Sequence, residues 1–175
     1  MMLTGAVGAF AVTMLTGSGT LGVLVGALSG VALAFVFAVL TQTLASNQVA
    51  TGLALTLFGV GLSALIGSNF VGSPVAPLPK LSIAGLSDLP VLGPILFGQD
   101  ALVYLSILLL IGVAWFLKRT RVGMILRAVG ESDVSAHSIG YDVIGFRYRA
   151  ILFGGAAAGL GGAYLSLAYT PMRCV

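Results

Sequence analysis

Between Met1 and Pro79 the chain contains no aspartate, glutamate, lysine or arginine. A soluble domain is not assembled that way, because its wetted surface draws about a quarter of all residues from those four types. Over the whole chain only 7% of residues are charged and 58% are hydrophobic, so most of the surface must face something other than water. Cysteine and histidine are scarce too. Cys174 is the single cysteine, which excludes an internal disulfide. His137 is the single histidine, leaving little from which to build a metal centre or a Ser–His nucleophile. No G-x-x-x-x-G-K-[ST] phosphate loop occurs, so the sequence predicts no ATP hydrolysis by this chain and no cofactor or metal. The apolar runs also lack the buried acids or histidines that ion-coupled carriers and intramembrane proteases use.

What is present is long apolar sequence. A helix needs about 20 apolar residues to cross a bilayer, and the uncharged N-terminal stretch alone has room for three. The pattern predicts an all-α, polytopic transmembrane helix bundle of about five spans: 2–15, 21–40, 47–66, 101–117 and 143–169. Helices are required because lipid offers no partner to backbone N–H and C=O groups. Strands of a membrane barrel would alternate polar and apolar residues, and these runs do not. The start lacks the positive residues of a secretion signal and stays apolar beyond a signal's length, so Met1 onward reads as part of a mature span.

The connections differ in character. Gly17-Ser18-Gly19-Thr20 reads as a short turn. With Leu21 and Gly22 it also fits G-x-G-x-x-G, but it follows an apolar span rather than a strand, and Gln42 stands in the region where the dinucleotide motif needs an acid. Thr41 to Ser46 forms a polar connector, after which Asn47 is placed to cap the third span. From Gly67 to Gly98 five prolines (Pro74, Pro77, Pro79, Pro90, Pro94) with Lys80 and Asp88 predict an irregular loop.

Six of the eight basic residues (Lys118, Arg119, Arg121, Arg127, Arg147, Arg149) fall within one stretch of 32, from the end of one apolar span to the start of the next. Such a cluster can mark a nucleic-acid patch, but between spans it marks the cytoplasmic side. That assignment puts the proline-rich loop outside, the Thr41–Ser46 connector inside, and predicts membrane lipid, not nucleic acid, as the surrounding partner. Glycines recur every fourth residue at Gly22, Gly26 and Gly30, and again at Gly155 and Gly159, spacing that lets membrane helices approach closely. The third span opens with uncharged polarity at Asn47, Gln48 and Thr51, which either bonds between helices or lines a pathway for a neutral, hydrogen-bonding solute.

The segment 118–142 is the most specific feature. Val122 to Val129 has the spacing of a short amphipathic helix that Gly130 is placed to end through a left-handed terminus. Ser132 or Asp133 is placed to cap a second short helix that Gly140 ends. Two short cytoplasmic helices joined by glycine make a handle on which a soluble partner could act.

The run Gly123-Met-Ile-Leu-Arg127-Ala-Val-Gly130-Glu131, with Ala136 and Gly140 after it, resembles the coupling segment of bacterial ABC-transporter permeases that import sugars, nucleosides and branched-chain amino acids. Asn47 to Leu55, Gly85 to Phe97 and Gly159 to Leu167 resemble the nucleoside and simple-sugar branch. Thr56 stands where that branch often has Asn, and Ser132-Asp133 where it often has Asn-Pro. The resemblance implies that residues 1–175 are the central part of a transmembrane permease domain in the bacterial inner membrane. It implies three protein partners: an ATP-binding cassette ATPase subunit, a second permease subunit and an extracytoplasmic solute-binding protein. Coupling to the ATPase would then fall to Arg127, Gly130, Glu131, Ala136 and Gly140. The alternative is a passive channel or secondary carrier for a small neutral solute, in which the basic segment is only a topological anchor.

Overall fold

The computed structural model describes residues 1–68, 101–132, 138 and 140–169, and every described element is helical. In chain order these are α1 (Met2–Thr16), α2 (Gly19–Ala38) continuing into a π-helical turn (Val39–Thr43), α3 (Gln48–Gly67), α4 (Ala101–Arg119), α5 (Arg121–Glu131), and α6 (Val143–Tyr164) continuing into a second π-turn (Leu165–Tyr169). The proline-rich stretch and the second short cytoplasmic helix expected from the sequence lie largely outside the described residues.

Among the described residues four helical segments are long and apolar enough to cross a membrane: Gly19–Thr43, Gln48–Gly67, Leu102–Arg119 and Val143–Leu167. The expected first span is shorter. With 15 residues, α1 is about 22 Å long at 1.5 Å per residue, against a hydrocarbon core of about 30 Å.

The chain divides into two compact units, Met1–Pro77 with Asp142–Val175, and Leu78–Tyr141. In the first unit α2 packs most extensively on α6, and α1 lies against both. This core is made mainly of small residues: Ala9, Ala34, Ala38 and Ala163 are fully buried, and Gly5, Gly22, Gly26, Gly30, Gly155, Gly159 and Gly162 are buried with them. Leu33 and Leu167 are the bulky members of the core, while Leu24, Leu28, Phe35, Leu53, Leu57 and Phe58 are exposed. Water would reverse that arrangement; lipid permits it, because helix association there depends on close backbone contact rather than on hiding apolar surface.

Local chemistry sets the ends. Gly17 adopts the left-handed conformation (φ 68°) and its N–H donates to Thr13 O at 2.8 Å, ending α1 and letting α2 start two residues later. Asn47 caps α3, its Oδ1 accepting from the N–H groups of Val49 and Ala50 at 3.0 and 3.4 Å. The Thr41–Ser46 stretch is not simply a connector: helix continues through Thr43, with Leu44 N–H donating to Val39 O at 3.2 Å in the wider π pattern.

In the second unit α4 turns into α5 at Thr120. Its hydroxyl donates to Phe116 O at 2.7 Å and accepts from Gly123 N–H at 3.0 Å, serving both helix ends. The turn brings Gly123 onto the end of α4, where a β-carbon would lie 2.7 Å from Leu117 Cα and against the Phe116 carbonyl. Gly130 does not end α5 as expected. Helix persists through Glu131 to an extended Ser132, whose N–H still donates to Ala128 O at 3.0 Å. A glycine is free to turn left-handed but not obliged to, and here the helix hydrogen bond continues past it.

Candidate functional site

Three groups of residues carry the functional reading, and the chain places each differently. The glycines of α2 and α6 meet in the core of the first unit. A β-carbon on Gly30 would stand 2.9 Å from Gly159 Cα and against the Gly155 carbonyl. One on Gly26 would stand 2.9 Å from Gly5 O and 3.0 Å from the Ala163 methyl, so α1 joins the same contact. Ser29 bridges the gap beside it, donating to Gly26 O at 2.9 Å and Thr4 O at 3.3 Å. Thr13 lies over Gly22 with its hydroxyl bonded to Ala9 O at 2.8 Å.

The polar start of α3 is occupied by its own backbone. The Asn47 oxygen is taken by the cap, and the Thr51 hydroxyl lies 2.9 Å from Asn47 O and 3.0 Å from Ser46 Oγ, with one proton to share between them. Gln48 is exposed. Thr56 lies one turn further along, bonded to Gly52 O at 2.7 Å. The three pathway candidates therefore sit together at the start of α3, Asn47 and Gln48 exposed and Thr51 half-buried.

The coupling candidates lie on and after α5. Arg127, Gly130 and Glu131 are exposed on that helix, as are the apolar Val122 and Met124, while Val129 is buried. Gly140 has φ 89°, a left-handed turn that a side chain would strain. Ala136 lies outside the described residues. Two positions beyond Gly140, Asp142 caps α6, its carboxylate accepting from Gly145 N–H at 3.1 Å. Arg149 then stacks over the Phe146 ring at 5.8 Å.

Sequence reasoning missed a set of residues at the end of α2. Ala45 is left-handed (φ 47°) although it is not glycine. Ser46 Oγ donates to Leu40 O at 2.6 Å and Thr41 Oγ1 to Phe37 O at 2.8 Å, serving carbonyls near the π-turn. The Thr43 hydroxyl pairs with the Tyr148 phenol of α6, 105 residues away in sequence. Nothing in local sequence marks that pairing; only the packing of α2 on α6 creates it.

A multi-pass bundle of apolar helices with a glycine-lined core defines an integral membrane protein. The chain belongs to the family described as branched-chain amino acid transport system / permease component, which it matches over residues 1–173. It is 43% identical over 98% of its length to a protein of Haloferax volcanii provisionally named as a glucose ABC transporter permease, 54% of which is covered. It is 32% identical over 82% of its length to the nucleoside ABC transporter permease of Lactococcus lactis subsp. cremoris, covering 47% of that protein. With the guanosine ABC transporter permease of Bacillus subtilis it shares 31% identity over 67% of its length, covering 39% of that relative. The chain thus spans about half the length of the curated relatives it matches. No solved structure matches it.

Proposed function

We propose that this chain forms part of the membrane-spanning permease of an ATP-driven importer for a simple sugar or nucleoside. The observation that carries the reading is family membership across residues 1–173 combined with the capped segment between α4 and α6. Relatives named for glucose, nucleosides and guanosine all concern neutral or weakly ionised solutes rich in hydrogen-bonding groups. The spans agree with such a cargo, since no charge occurs before Lys80. ATP hydrolysis belongs to a separate cassette subunit. That subunit grips the coupling segment through Arg127, Gly130, Glu131, Ala136 and Gly140, with Glu131 and Arg127 supplying exposed charge on α5. A second permease subunit completes the pathway, and an extracytoplasmic binding protein delivers solute. Asn47, Gln48 and Thr51 are the pathway candidates, and Gly22, Gly26, Gly30, Gly155 and Gly159 hold the helices together.

The test is co-purification of the transporter containing this chain, followed by uptake of labelled glucose and guanosine in proteoliposomes. The expected result is an associated ATPase, ATP-dependent uptake of one of the two, and loss of that uptake on combined Glu131→Ala and Gly140→Ala substitution. Uptake that proceeds down a gradient without ATP, with no ATPase attached and no effect of the two substitutions, would instead identify a passive channel or carrier.

A further inference from the structure

The end of α2 has an architecture that ordinary packing does not require. Over eight residues it combines a π-turn (Val39–Thr43), a left-handed alanine (Ala45) and two side-chain hydroxyls, of Thr41 and Ser46, bonded to nearby carbonyls. A π-turn holds one more residue per turn than the α pattern, so converting it to regular helix rotates everything beyond it by about 100°. A left-handed alanine persists only where its surroundings hold it. Thr43, the last residue of the π-turn, is bonded to Tyr148. Tyr148 stands six residues after Asp142, the cap at which the coupling segment passes into α6. Below this point α2 and α6 are locked by glycine contact at Gly30, Gly155 and Gly159, so their shared core cannot shear freely. The hydroxyl pair lies instead at the end of the pair of helices, beside the one segment of α2 that has an alternative winding.

We infer that Thr43 and Tyr148 are positioning residues that latch the π-turn of α2 to the first turns of α6, so that movement of α6 is passed to the α2–α3 connection. This rests on the importer reading. A pull on the coupling segment reaches α6 at Asp142, and Tyr148 carries it across to Thr43. From Thr43 it passes through Ala45 and Ser46 to Thr51 in the first turn of α3, to which Ser46 is bonded at 3.0 Å. Without the hydroxyl pair the two helices still pack, but the winding of residues 39–46 is no longer tied to the position of α6.

The experiment compares the unmodified transporter with Tyr148→Phe, Thr43→Val, Thr43→Ser and the Tyr148→Phe/Thr43→Val double variant in proteoliposomes. Uptake and ATP hydrolysis are measured together, and the melting temperature checks folding. The expected result is roughly a threefold fall in solute moved per ATP for Tyr148→Phe and Thr43→Val, the scale of a typical hydrogen bond between membrane helices. Thr43→Ser retains the wild-type ratio, and the double variant is no worse than either single one, as a shared interaction requires. A merely structural role would lower melting temperature and leave the ratio unchanged. A normal ratio in Tyr148→Phe and Thr43→Val, or additive losses in the double variant, overturns the latch alone. Failure of the unmodified transporter to show ATP-dependent uptake overturns the importer reading, and the latch with it.

Discussion

Gly30 of α2 and Gly155 of α6 meet backbone to backbone: a methyl group on Gly155 would fall 2.8 Å from the Gly30 carbonyl oxygen and collide with the Ala34 methyl. Neither obstacle is a side chain that can swing away. Gly155→Ala is therefore expected to destabilise the first unit by about 1–3 kcal/mol, the usual cost of overpacking. Its neighbour supplies the control. A β-carbon at Gly154 meets nothing within 4 Å, so Gly154→Ala should be neutral or stabilising by up to about 1 kcal/mol through helix propensity. Thermal unfolding of the two variants in the same detergent decides the matter.

Thr120 serves α4 and α5 at once, through one donated and one accepted hydrogen bond. Thr120→Val keeps its shape and loses both, at a cost of about 1 kcal/mol for the cap. Thr120→Ser should retain them. The expected readout is faster amide exchange in the first turn of α5 for the valine variant only.

Ala45 can be tested in the opposite direction. Left-handed conformation costs an ordinary residue about 1–2 kcal/mol, and glycine avoids that cost. Ala45→Gly should lose part of this gain to the entropy of the unfolded chain and still raise stability, or leave it level. Ala45→Val, with a β-branched side chain at φ 47°, should lower the melting temperature clearly.

At the start of α6 the prediction separates charge from capping. Asp142→Asn preserves an oxygen that accepts from Gly145 N–H and should be tolerated, whereas Asp142→Ala should cost about 1 kcal/mol. Circular dichroism melts of the three proteins distinguish these outcomes. If the asparagine variant melted with the alanine one, the carboxylate charge rather than the cap would be responsible.

The class of fold was legible because apolar runs without charge leave few options. The start of α3 was legible as well: Asn47 before an apolar run is a local signal, and its cap appears where the sequence puts it. The glycine spacing of α2 and α6 could be read: Gly26 and Gly30 are buried against Gly155 and Gly159, while Gly22 lies against α1. Other features depended on competition that sequence does not display. Gly130 sits inside a helix because continued hydrogen bonding outweighs its freedom to turn. Thr41 to Thr43, polar enough to read as a connector, remain wound because nearby hydroxyls serve the carbonyls around the π-turn. The Thr43–Tyr148 pair joins residues with no common motif, and the corner at Thr120 and Gly123 was hidden inside a run read only for its amphipathic period.

The outward placement of bulky residues has a practical consequence. Apolar surface is carried on one set of faces by exposed side chains such as Leu24, Leu28, Leu53 and Leu57, while the joining of α1, α2 and α6 is encoded on another by glycine and alanine. The two alphabets scarcely overlap. A designer could therefore rewrite the outer one in polar letters to obtain a water-soluble analogue of the first unit, leaving every residue of the inner one untouched.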